Sequence, residues 1–406
     1  MEGDGAGELY LNGKEKDLTI SQVLERDIVE MNLRNLSNLK ECIDKEETAW
    51  IFGTGVSVVA GMPLWGSLLQ KMWMLLVPKS FHSEAVDKDD PFFSARKSIE
   101  EGLNPEDLGF KNGKAKSIEV FRDVNLLEAA EYMDYYIRLF SDQGSPNARR
   151  PETRHVVLKE LLRKILKASF RPFNVQETAI GKIAEFLVGE EKGKVITYNY
   201  DDVLEFCLEE VSEGNTEQIA VIAEQDDNIN KPEREHPIRI YHPHGAINVT
   251  GSRLGVDSAK VVLTEGSYYS LEQVKYSWQN SVQAKALTDS HCIFVGFSGE
   301  DYNFRRIIKN VGPSKTPDMH YIFVAVNDLI NSIYGQARDE NTGALCMDRI
   351  LEGGQYALER LYCLEKLHMQ YTYWTHYGIT PIFTSYRELP EMIGMVLSKS
   401  ISGDAA

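Results

Sequence analysis

Three short stretches hold the side chains best suited to chemistry. "VITYNYDDVLEF" places Asn199 and Asp201 just past a short apolar run, and "YHPHGAI" places His242 and His244 just past another. "AWIFGTGVSVVAGMPLW" ends a third run on Gly53 and Gly55, with Val56 and Ser57 following. An imidazole titrates near neutrality and accepts a proton there. A carboxamide orients a water or a hydroxyl without adding charge. A glycine turn brings backbone close to a ligand, and the N–H groups of a following helix suit a phosphate. Plainer roles compete with each of these. Asp201 also reads as a helix cap, which leaves Asn199 free to face a cleft. His242 and His244 also read as a metal pair, although no Cys/His cluster completes a zinc set. Gly53-x-Gly55 alone is also a common strand-ending turn.

Neither standard nucleotide motif is complete. Val58 stands where the dinucleotide fingerprint has its third glycine. Helical sequence follows, where an acidic residue should end a second strand about 20 positions on. No Gly-Lys-Ser/Thr follows either, which excludes a P-loop.

These stretches need a scaffold that brings strand ends together. Strand candidates are 48–52, 194–198, 238–242, 291–295, 321–326 and 380–384. They are short apolar runs, most followed by Gly, Asn or Asp and then a helical pattern. That alternation predicts an α/β fold with a Rossmann-like, doubly wound parallel sheet. Between the first two strands, "SLLQKMWMLLV", "NLLEAAEYMDYYIRLF" and "RHVVLKELLRKILKA" repeat apolar residues at helical spacing. The expected organisation is an N-terminal arm or helix over 1–40 and a nucleotide-binding domain from 41–66 and 186–395. A large helical insertion spans 67–185, and a tail spans 396–406.

The 406 residues carry 44 basic and 61 acidic side chains, a net charge of -17. That balance argues against a surface built for nucleic acid. The five cysteines are scattered and form no C-x-x-C pair, which suggests free thiols in a reducing compartment and no zinc module. The polar, acidic N-terminus is unlike a signal peptide, and the apolar run near 72–77 is too short to span a bilayer. A cytoplasmic protein without direct membrane contact is expected.

Taken together, the motifs resemble the sirtuins. In G-T-G-V-S-x-x-x-G-M-P-L-W, Gly53, Gly55, Ser57, Gly61 and Pro63 match the family signature by position, while Leu64-Trp65 replaces its Phe-Arg. Thr197, Asn199 and Asp201 match Thr-Gln-Asn-x-Asp, with Tyr198 in place of the glutamine. His244-Gly245 matches the family's His-Gly, and Gly296 with Ser298 matches its Gly-x-Ser turn. Ser298 and Asp301 also read as helix caps. "VVLTEGSYYSL" and "HYGITPIF" are similar to a divergent bacterial sirtuin-like group. There Tyr377-Gly378 would lie near the adenine end, and Asn327 could contact the adenosine ribose.

The resemblance implies NAD+ as substrate. It assigns catalysis to Asn199, His244 and Asp201. It assigns NAD+ binding to Gly53, Gly55, Val56, Ser57, Pro63, Trp65, Thr197, Gly245, Gly296, Ser298, Asp301, Asn327 and Tyr377. It further implies a likeness to the sirtuin-like NADases of bacterial antiviral defence, which hydrolyse NAD+ to nicotinamide and ADP-ribose. The missing C-x-x-C pairs weigh against a zinc-bearing deacylase. The alternatives are an NAD-dependent deacylase or ADP-ribosyltransferase, and a non-catalytic sensor of NAD or ADP-ribose. A homo-oligomer is expected, together with a regulatory partner such as a HerA-type ATPase or an Argonaute.

Overall fold

The computed structural model describes residues 26–81, 126–141, 151–224, 237–273, 277–299, 301–311, 320–326 and 357–398. Its strands are β1 (Thr48–Phe52), β2 (Gly193–Thr197), β3 (Ile219–Ile222), β4 (Ile238–Tyr241), β5 (His291–Val295), β6 (His320–Ala325) and β7 (Ile379–Thr384). They form a seven-stranded sheet in the order β3-β4-β2-β1-β5-β6-β7. Every pairing is parallel. The continuous apolar runs follow from this, because a parallel sheet flanked by helices buries both faces of its strands. β3 adds a strand at one edge that was not among the sequence candidates. Its four residues IAVI are all buried but too few to show a period.

The helices are α1 (Arg26–Lys45), α2 (Trp65–Phe81), α3 (Leu126–Ser141), α4 (Pro151–Ser169), α5 (Ala179–Gly189), α6 (Val203–Val211), α7 (Glu265–Gln273), α8 (Trp278–Asp289), α9 (Tyr302–Val311), α10 (Ala357–His376) and α11 (Leu389–Leu397). The chain divides into two compact units. The second unit comprises residues 63–169 and 259–273, so it contains α2, α3, α4 and α7. Within it α3 packs on α2, α4 and α7 around buried Leu68, Leu69, Met72, Met133 and Leu162. The first unit holds the sheet and the remaining helices.

The boundaries differ from the sequence expectation in several places, and residues 63–66, assigned there to the nucleotide-binding domain, belong to the second unit. Residues 170–185, assigned there to the insertion, belong to the sheet unit. Ile180, Ile183, Ala184 and Leu187 of α5 are buried, and α5 packs on α6 and α11. An apolar stripe for a sheet and one for a bundle have the same spacing, so periodicity does not separate them. Residues 259–273 join the helical unit from much later in the chain. At the N-terminus α1 runs unbroken through the expected boundary at residue 40.

α1 covers the edge strand β7. The Asn32 amide Nδ2 donates to the Phe383 carbonyl at 2.8 Å, and the Phe383 N–H donates to Asn32 Oδ1 at 2.7 Å. Asn35 Nδ2 donates to the carbonyl of Pro381 at 3.1 Å. One carboxamide thus closes both backbone groups of an edge residue that would otherwise invite another strand. Asn32→Ala leaves a buried N–H and a buried C=O without partners, an expected loss of about 2 kcal/mol. Urea unfolding of the full chain reads this as a lower midpoint with an unchanged slope.

Candidate active site

In a parallel sheet all carboxyl ends share one edge. From β1 the chain passes to β2 on one side, while β5 lies on the other. The strand order thus reverses direction about β1, and open α/β sheets bind ligands at the carboxyl edge beside such a point. The turns after β1, β2, β4 and β5 carry Gly53–Ser57, Asn199–Asp201, His242–Gly245 and Gly296–Asp301.

Two of these turns touch backbone to backbone. Gly53 N–H donates to the Val295 carbonyl at 3.1 Å, and Gly55 N–H to the Gly296 carbonyl at 2.9 Å. A Cβ on Gly53 would sit 2.7 Å from Phe297 Cα, and one on Gly55 would sit 2.7 Å from Gly296 Cα. Gly296 itself has φ +61°, a left-handed conformation. The two glycine turns are thus required first by each other. Val56 and Ser57 N–H groups close 3-10 turns on Gly53 and Thr54, at 3.2 and 3.1 Å. No long helix starts here, and the N–H groups of Gly53, Gly55, Val56 and Ser57 are committed within the protein. The expected open helix N-terminus for phosphate is replaced by this contact.

A directed chain of hydrogen bonds links β1 to β2. Asn199 Nδ2 donates to Ser57 Oγ at 3.0 Å, and Ser57 Oγ donates to Asp201 Oδ1 at 2.8 Å. An ionised carboxylate only accepts, so the serine proton points to Asp201 and the Asn199 amino group must face Ser57. The amide oxygen Oδ1 then faces the other way, buried and without a hydrogen-bond partner. Burial raises the Asp201 carboxyl to about 6, against the opposing pull of the Ser57 hydroxyl. Above that pH the direction of the chain is set. Asp201 Oδ1 also accepts the Val203 N–H at 3.3 Å, so the carboxylate supports the first turn of α6 as well. Thr197 Oγ1 accepts the Asn199 N–H at 3.2 Å.

His244 stands beside Asp301, Nε2 to Oδ2 at 3.6 Å. Its ring meets Tyr198 edge-on at 5.0 Å, and the Tyr198 hydroxyl donates to Gln283 Oε1. Burial lowers the His244 pKa, and Asp301 opposes the shift. A neutral imidazole at pH 7 follows, in the form that accepts a proton. Gly245, at φ +83°, closes a turn by donating its N–H to the His242 carbonyl at 3.0 Å. Asp301 Oδ1 accepts the Phe304 N–H at 2.8 Å, so this residue both caps α9 and faces His244. Ser57, Asn199, Asp201 and His244 are 1, 2, 5 and 2% exposed, so the group is enclosed.

The remaining expected residues are placed differently. Ser298 is exposed on the β5 turn. Pro63 and Trp65 fall in the second unit, where Trp65 opens α2. Tyr377 precedes β7, at the sheet edge opposite the four turns, and its ring packs on Tyr373 and His376. Asn327 lies outside the described residues. The structure also adds residues that sequence reading missed. Asp202 accepts the N–H groups of Val249 and Thr250 at 2.8 and 3.0 Å, tying the loop beyond Gly245 to α6. Its only sequence signal is adjacency to Asp201. Glu205 meets His242, Oε1 to Nε2 at 2.6 Å. Among the described residues no group of three or more His, Cys, Asp or Glu is arranged to hold a metal ion.

Residues 193–344 match the family of the SIR2-like domain. The match begins at the first residue of β2 and takes in the turns after β2, β4 and β5, but not β1 with its glycines. Domains of this kind use NAD+. No curated protein matches the chain significantly. Among the described residues no helix is long and apolar enough to cross a membrane.

Proposed function

We propose that the chain is an NAD+ glycohydrolase, releasing nicotinamide and ADP-ribose. The observation that carries this is Asn199 Oδ1, oriented by Ser57 and Asp201 and left buried without a partner at the edge that also holds His244. An unsatisfied buried oxygen costs about 1–3 kcal/mol, a cost that a ligand can remove. NAD+ supplies its own cationic leaving group, and cleavage of its glycosidic bond leaves an oxocarbenium-like centre. Asn199 Oδ1 aims its dipole at that centre or at the attacking water. His244, neutral and buried, takes the proton of the water. The carboxyl side chains of Asp201, Asp202 and Asp301 around them favour a cation.

The absence of C-x-x-C pairs supports hydrolysis over zinc-bearing deacylation. In a cell such an activity needs control. The chain acts, on this reading, as the NAD+-depleting effector of an antiviral defence system. It works as a homo-oligomer released by a partner such as a HerA-type ATPase or an Argonaute. Asn199 and His244 are enclosed, so on this reading the site opens before a dinucleotide reaches them.

The test is incubation with NAD+, with and without the partner, and chromatography of the products. Equal amounts of nicotinamide and ADP-ribose are expected. Acyl-ADP-ribose formed only with an acylated peptide would identify a deacylase instead. Binding without turnover in any assembly state would identify a sensor.

The rate should depend on pH in one direction. His244 acts as a base and titrates below its ordinary 6.5, while Asp201 ionises at about 6. Protonating either lowers the rate, so kcat/KM should climb with pH and level off about one unit above the higher of the two, near pH 7. A rate that falls over that range would assign the proton transfer to another group.

A further inference from the structure

Beneath Asn199 lies a buried pair that the proposed reaction does not itself use. His242 is fully buried and Glu205 is 1% exposed. The imidazole Nδ1 is 3.2 Å from the main-chain carbonyl of Asn199, and Nε2 is 2.6 Å from Glu205 Oε1. A carbonyl oxygen only accepts, so Nδ1 carries a hydrogen. One proton lies between Nε2 and the Glu205 carboxyl at 2.6 Å, and with that proton on nitrogen the ring is an imidazolium; Glu205 Oε2 is buried without a hydrogen-bond partner. Three elements meet here: the end of β4, which bears His244 two residues on, the end of β2, which bears Asn199, and α6, which bears Glu205.

We infer that the Glu205–His242 ion pair is a positioning device: it ties the main chain of Asn199 to the strand end that carries His244. The inference rests on the reading of those two residues as the reacting pair. In the ion-pair form both hydrogen bonds of the ring are charge-assisted and so hold its three elements more firmly than a neutral pair would. Removing one partner alone leaves the other charge buried and uncompensated. Replacing both by apolar side chains removes that penalty but not the need to hold Asn199. Stability and positioning can therefore be separated.

The test uses the full chain. Histidine 15N NMR at pH 7.5 should show both ring nitrogens of His242 protonated, and a single protonated nitrogen would overturn the pair. The double variant Glu205→Met, His242→Leu should regain a melting temperature near wild type. It should bind NAD+ within about threefold of wild type yet cleave it about 10²-fold more slowly, the scale of a misplaced group. Wild-type kcat in that variant would mean the pair only fills space. Should the double variant not fold, Glu205→Gln keeps the shape and loses the charge. A drop in kcat of about tenfold or more is then expected, and an unchanged kcat overturns the proposal. If the wild type leaves NAD+ uncleaved, the reading of the site fails by itself. The pair is then judged by the Asn199 side-chain amide resonance, which moves in Glu205→Gln if the pair holds that segment and stays in place if it does not.

Discussion

Replacing His244 by Ala is expected to slow nicotinamide release by about 10²–10⁴-fold, the usual range for a positioned proton acceptor. Asn199→Ala should cost about 10²–10³-fold, as for one fixed dipole aimed at developing charge. The fold should survive both. The His244 ring contributes an edge contact to Tyr198, whose hydroxyl stays bonded to Gln283. Removing the Asn199 amide also removes a buried oxygen that has no partner. The two losses should not add, because both groups act on the same glycosidic bond and its water. Asn199→Asp is the finer probe. Its carboxylate meets a serine hydroxyl already donated to Asp201, so the directed chain is broken although the shape is kept. Product assays on the variants, with thermal melts alongside, separate lost chemistry from lost fold. Undiminished turnover in either Ala variant would remove that residue from the site.

Gly296→Ala should be strongly destabilising, because two effects add. At φ +61° an alanine pays about 1–2 kcal/mol for the left-handed backbone. Its Cβ would also lie 2.7 Å from the carbonyl carbon of Gly55, and backbone cannot swing aside as a side chain does. Such overpacking adds about 1–3 kcal/mol. The sum, about 3 kcal/mol, is a large part of the usual stability of a domain. Because the methyl pries the β5 turn off the β1 turn, NAD+ affinity should fall together with the melting temperature. Gly214→Ala is the control. It also has positive φ, +81°, but nothing lies within 4 Å of an added Cβ. It should lose only the backbone contribution and keep its affinity.

The parallel sheet is readable in the sequence because β1, β2, β4, β5, β6 and β7 are apolar runs ended by turn residues or polar side chains. β3 is not, since a four-residue edge strand has too little pattern to separate it from a loop. Asn199, Asp201 and His244 stand out because each follows an apolar run, where a polar side chain has no packing reason to be. The structure places them at one edge, and the strand order explains why residues so far apart in sequence come together. Glu205 is illegible for the opposite reason. In "DDVLEFCLEEV" an acidic residue reads as the wet face of an amphipathic helix, whereas here it is buried on His242. Only the fold shows that a carboxylate on α6 lies beneath the end of β4. The glycine turn misleads in a further way. Gly53 and Gly55 signal close approach correctly, but the backbone they approach is that of Gly296, not an open helix terminus.

The most direct test of the account is a crystal structure of the Asn199→Ala chain soaked briefly with NAD+, in which the slowed turnover lets the dinucleotide persist. The expected result is density along the carboxyl edge, with the nicotinamide ribose beside residue 199 and His244 and the rest of the molecule passing the joined turns of Gly53–Gly55 and Gly296. A dinucleotide bound elsewhere, with His244 still enclosed against Tyr198 and Asp301, would contradict it.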